Sequence, residues 1–174
     1  MRKTKKLTVS AVTVAIGVMF MVLGGFVDVL DLSACALSSV LVAFIYIEVG
    51  SPYTWLVWLC TSLLSFVCFP GSVLWFVYLI VFGIYPILKA YIERLNRAFW
   101  LPVKLVYINA VLVLIIFAFE LLFKTPFFVV NKLWLKVGVY ALMNIAFIAY
   151  DLFITVLVRF YLDRLRHRFK NFLK

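Results

Sequence analysis

The sequence predicts an all-α integral membrane protein: a six-transmembrane-helix bundle with both termini cytoplasmic. Three observations predict it. Of 174 residues, 67% are hydrophobic and 14% charged, where a soluble domain is roughly half apolar and about a quarter charged. The apolar residues come in runs close to the ~20 that cross a bilayer as a helix. Lys and Arg gather at the ends of those runs, and mostly on one side. A chain of this length holds such spans and little else, so 1–174 reads as a single transmembrane domain.

The first run follows MRKTKK. It mimics a signal peptide, but it is long, lacks a small-residue cleavage site before a polar region, and leads into further spans, so it reads as the first helix, near 7–28. The turn DVLDL separates it from a second helix near 32–49, and EVGSP from a third, short one near 53–69. FPGS opens the fourth, near 71–92, in which Pro86 after Gly83 predicts a kink. KAYIERLNR then reads as a cytoplasmic helical extension. The last two helices lie near 102–123 and 134–160, with a basic cytoplasmic tail over 161–174. Helices satisfy their own backbone in lipid, which makes the bundle all-α.

With the N-terminus inside, the inner side carries fourteen Lys and Arg: four at 2–6, four at 89–104 and six at 159–174. The outer side carries Lys124, Lys132 and Lys136. Positive charge is retained inside, which sets the orientation. The same placement argues against nucleic acid as partner despite a net charge of +10. Tyr53, Trp55, Trp75, Tyr78, Trp100 and Trp134 sit near span ends, where amphipathic rings prefer to lie. Cys35, Cys60 and Cys68 match no metal or disulfide spacing and read as small buried hydrophobes. The tail, with Phe160, Leu162, Leu165, Phe169 and Phe172 among its basic residues, suits an anionic lipid surface.

Two helices carry stripes of small residues. Thr8, Ala11 and Ala15 share one face of the first; Cys35, Ser39 and Ala43 share one face of the second. Small residues let helices approach closely in lipid. Two stripes exceed what one internal contact requires, so one is expected to face another protein.

Polar groups at membrane depth face the protein interior and find partners. At ~1.5 Å per residue, one antiparallel register of the last two helices matches Asn109 with Asn144, Lys104 with Asp151, and Glu120 with Lys136. An Asn109–Asn144 hydrogen bond is expected. Lys104 is off the Asn109 face, so it reaches around or finds another acid, for example Glu48. Asp28, Asp31, Glu120, Asn131, Lys136 and Tyr140 would ring the outer mouth with mixed charge.

No catalytic constellation is visible. His167, the one histidine, lies among arginines in the tail, and there is no zinc-site, nucleophile-elbow or nucleotide-binding motif. The expectation is a protein that is not an enzyme and needs no metal or cofactor.

Six helices, both termini inside, and a short basic N-terminus running into Ala11-Val-Thr-Val-Ala15 resemble the substrate-binding S component of energy-coupling-factor (ECF) transporters. The resemblance implies that Ala11 and Ala15 pack against a transmembrane T component, and that two ATPase subunits drive uptake. It also implies that a small solute such as a vitamin binds near the outer side. The residues this assigns to the ligand are Asp28, Trp75, Tyr78, Glu120, Lys136, Tyr140 and Asn144. The location implied is the bacterial inner membrane, multi-pass, with lipid as the surroundings. A second reading is a non-transport scaffold or assembly subunit; a third is a membrane enzyme acting on lipid, which a sideways-open pocket near Lys104 and Asp151 would favour.

Overall fold

The computed structural model describes residues 3–27, 30–94, 97–122 and 133–165, with the side chains of 97, 98, 119, 120, 122, 133 and 165 outside that description. Every element among the described residues is helical. In chain order these are α1 (Lys3–Phe26), α2 (Asp31–Glu48), α3 (Tyr53–Cys68), α4 (Leu74–Val77), a π-helical turn (Tyr78–Phe82), α5 (Tyr85–Ile92), α6 (Arg97–Leu122), α7 (Leu133–Phe160) and a second π turn (Tyr161–Leu165). Five stretches are long and apolar enough to span a membrane: α1, α2, Leu74–Ile92, Phe99–Ala118 and Trp134–Arg164. The apolar α3, at 16 residues, falls just short of that length. The chain is a multi-pass membrane protein by the length and composition of its helices.

Predicted and observed spans agree closely, and the differences have local causes. α6 begins at Arg97, before the expected 102, so Pro102 lies inside the helix. Proline often starts a helix because it has no N–H to place. Here it is the sixth residue, past the first turn, so one carbonyl a turn back lacks its intrahelical donor. KAYIERLNR is not one continuous extension: α5 stops at Ile92, and Glu93 and Arg94 form a turn.

The described residues fall into two compact units, one within Met1–Tyr91 and Ile154–Lys174, the other within Ile92–Phe153. In the first, α1 lies against both α2 and α3. Its inward face is Ser10, Thr13, Gly17, Met21 and Gly24. The Gly17 carbonyl accepts a hydrogen bond from Ser38 Oγ at 3.0 Å. A Cβ on Gly17 would lie 3.1 Å from the Thr61 methyl, and one on Gly24 would lie 2.5 Å from Ala34 Cβ. The predicted α2 stripe of Cys35, Ser39 and Ala43 is also buried here. Met21, Cys35, Val42, Ile45, Val57 and Tyr78 are central to the apolar core.

α2 ends at Glu48, and two residues on the chain turns at Gly50, whose φ of +82° suits a residue without a side chain. The Gly50 N–H donates to Ile45 O at 3.0 Å, and the Lys6 ammonium reaches Val49 O at 3.5 Å. A cation there complements the negative helix end. The three cysteines are free; Cys35 is buried and Cys60 half-buried, but Cys68, at the end of α3, is exposed, contrary to expectation.

The predicted kink at Pro86 is a larger break. Gly83 N–H donates to Tyr78 O at 2.7 Å, five residues back. In an α-helix that N–H would serve Leu79 O. The Trp58 indole N–H from α3 takes its place, at 3.0 Å. Gly83 makes room for the ring, since a Cβ there would lie 2.4 Å from Trp58 Cδ1.

Gly24→Val is expected to lower stability by about 1–3 kcal/mol, because the added methyls collide with Ala34 across a contact that backbones define. Gly138→Ala, with open space around it, is expected to leave stability equal or raise it by about 0.5 kcal/mol. Denaturation in detergent, followed by circular dichroism, measures both.

Candidate functional site

The polar side chains of the second unit lie along the antiparallel pair α6 and α7. Lys104 Nζ is 2.8 Å and 3.0 Å from the two Asp151 carboxylate oxygens, and 3.4 Å from Glu93 Oε1. The ion pair is largely buried: 12% of the Lys104 side chain and 16% of that of Asp151 are exposed. A charge withdrawn from water needs a partner. The depth match made from sequence thus pairs Lys104 with Asp151 across the helices.

One turn further along α6, the Tyr107 and Phe147 rings pack with centroids 6.3 Å apart. Beyond them Tyr140 Oη donates to Asn109 Oδ1. The expected Asn109–Asn144 bond is replaced by this one. Asn109 Nδ2 donates to Leu105 O at 2.7 Å, and Asn144 Nδ2 donates to Tyr140 O at 3.0 Å. An asparagine amide reaches less far than a phenol hydroxyl. Asn144 therefore satisfies itself on its own helix.

Beside the ion pair is a cavity of about 280 Å³. Its walls are Trp100, Leu101 and Leu105 on α6 and Phe147 and Ile148 on α7, with Lys104 and Asp151 as its charged groups. Leu101 and Ile148 are 66% and 46% exposed, so the cavity is bordered by outward-facing apolar side chains. Its volume falls just below the range of ~300–1,000 Å³ common for small-molecule sites.

The residues expected to hold a ligand divide between the units. Trp75 and Tyr78 belong to the first; Lys136, Tyr140 and Asn144 to the second, where Lys136 is half-buried on the first turn of α7. Asp28, Asn131 and the Glu120 side chain lie outside the described residues, and with them the Glu120–Lys136 pairing. Tyr78 is fully buried in the core; its hydroxyl makes no hydrogen bond of ordinary geometry, and Thr61 is its polar neighbour. Trp75 packs on Phe66, ring centroids 4.7 Å apart. The Trp75 indole N–H and the Ser65 hydroxyl, neither with a protein partner, belong to residues bordering a cavity with room for about one water.

Ala11 and Ala15 are exposed on α1, with Thr8, Val12 and Met19 on the same side. The Thr8 hydroxyl donates to Thr4 O at 3.0 Å, so the outward face presents a satisfied donor. Glu48 accepts from Tyr161 Oη at 3.0 Å.

Two charged residues carry roles that pattern reasoning missed. Glu93, read as part of a cytoplasmic extension, is a second acid beside Lys104. Lys89, counted only as a flanking charge, is 5% exposed; its ammonium donates to Thr155 Oγ1 at 2.8 Å and lies 6.0 Å from the Tyr85 ring centroid. Its place inside the predicted span 71–92 was the available signal.

Lys104→Met is expected to lower stability by about 3 kcal/mol by leaving buried carboxylates without their cation, and adding Asp151→Leu should recover much of that loss. Denaturation of the single and double variants in detergent measures the coupling; simply additive losses would show that the two side chains act independently.

The chain matches no family model, and no curated protein or solved structure shows significant similarity to it.

Proposed function

We propose that this chain is a multi-pass subunit of a membrane complex that works through a protein partner, and specifically the substrate-binding subunit of an ECF-type importer for a small solute. The observation that carries the reading is the division of small residues on α1. Ser10, Thr13, Gly17 and Gly24 are used within the bundle, while Ala11 and Ala15 are left on the outside. A helix that meets only lipid has no use for alanine over leucine on that face. A helix that meets another helix does, because small residues allow close van der Waals packing. The T component of such an importer supplies that helix in this reading. The chain then sits in the bacterial inner membrane with both termini inside, binds the solute from the outer side and leaves ATP hydrolysis to its partners.

The scaffold reading shares the α1 contact and differs in the partner. Purification from the native membrane separates the two, using wild type beside Ala11→Leu/Ala15→Leu. Both positions are exposed, so the double variant should keep its stability within about 0.5 kcal/mol. The expected result is an ATPase and a second membrane subunit recovered with wild type and lost with the variant. Recovery of a membrane partner without an ATPase would favour the scaffold. Equal recovery with both proteins would remove the α1 face from the contact.

A further inference from the structure

We infer that the cavity beside Lys104 and Asp151 is a lipid site, and that its ligand is a phospholipid whose zwitterionic headgroup ends in a primary ammonium. The inference is independent of whether α1 docks a T component. Three observations carry it.

The first is depth. On α6 the cavity is lined by Trp100, Leu101, Lys104 and Leu105, the opening turns of the apolar stretch Phe99–Ala118, and on α7 by Phe147, Ile148 and Asp151, within the longer stretch Trp134–Arg164 that continues past it. The end of a span lies at headgroup level, and tryptophan favours that depth. On the orientation predicted by the Lys and Arg distribution, this is the inner leaflet.

The second is the wall. Leu101 and Ile148, on the two sides of the cavity, are outward-facing. Side chains of that kind, at that depth, meet acyl chains rather than water. A volume of about 280 Å³ suits a headgroup and the start of its chains, with the rest of each chain along α6 and α7.

The third is charge. Lys104 places an ammonium 2.8 Å from an Asp151 carboxylate oxygen and 3.4 Å from Glu93 Oε1. A headgroup with a phosphate and an ammonium mirrors both signs. Its phosphate meets Lys104, and its ammonium donates to a carboxylate through charge-assisted hydrogen bonds. A headgroup with only negative charge would satisfy the lysine while facing the Asp151 carboxylate. A choline headgroup has the right charges but no N–H to donate. Selectivity for a primary amine follows from the hydrogen bond.

The test is native mass spectrometry of the full-length protein after exchange into an equimolar mixture of phosphatidylethanolamine, phosphatidylcholine and phosphatidylglycerol with identical chains. Wild type should retain phosphatidylethanolamine over each of the others by about tenfold, the ratio that one charge-assisted hydrogen bond supplies. Ile148→Trp fills the cavity from an exposed position and leaves the ion pair in place; it should abolish the preference while the melting temperature holds. Leu101→Trp repeats the test from the other helix should the first variant misfold. Equal retention of the three lipids, a preference for phosphatidylglycerol, or a preference unchanged by a folded cavity-filled variant would each overturn the assignment.

Discussion

The first unit depends on how closely α1 can approach its neighbours. Helices in lipid gain little from hiding apolar surface, since the lipid is apolar too, so packing and interhelical hydrogen bonds hold them together. Gly17 and Gly24 permit the approach because a Cβ at either would press on Thr61 or Ala34. Closeness then brings Ser38 within reach of the Gly17 carbonyl. The buried residues around it are small and polar to match: Ser10, Thr13, Ser39, Thr54 and Ser62.

The α6–α7 pair is held by different means. Long side chains connect these helices: a lysine to an aspartate, a tyrosine hydroxyl to an asparagine, one aromatic ring to another. Extended side chains pack less completely than glycines and alanines. A cavity beside the Lys104–Asp151 pair is the physical counterpart of that choice. The first unit is thus packed through small residues and the second bridged through long ones.

The long apolar helices and one of the three cross-helix pairs, Lys104 with Asp151, were legible in the sequence because hydropathy and depth change slowly along a helix. Lys104 and Asp151 could be matched by arithmetic, and an error of one residue would not have separated them. Which exact groups bond was less legible. Asn109 chose Tyr140 over Asn144 because reach depends on side-chain length, which a depth match ignores. The inward and outward faces of α1 were half legible. The Ala11–Ala15 stripe was visible at i, i+4; the face that packs, Ser10–Thr13–Gly17–Met21–Gly24, has regular helical spacing but mixes polar, glycine and apolar residues, so no single residue type marks it. Glu93 was not legible, because it comes to Lys104 from a turn, where no periodicity applies.

The π turn at Tyr78–Phe82 has a consequence for everything after it. A turn with one residue more than an α-helical turn advances the phase of the following residues by about 100°. Residues from Tyr85 onward therefore occupy directions that a regular 3.6-residue count from Leu74 assigns to their neighbours. Lys89 is one of them: it ends inside, between Tyr85 and Thr155. The Trp58 indole, by occupying the carbonyl that a regular helix would reclaim, acts as a latch on that rotation. An aromatic side chain on one helix thereby fixes the angular setting of a cation two turns away on another.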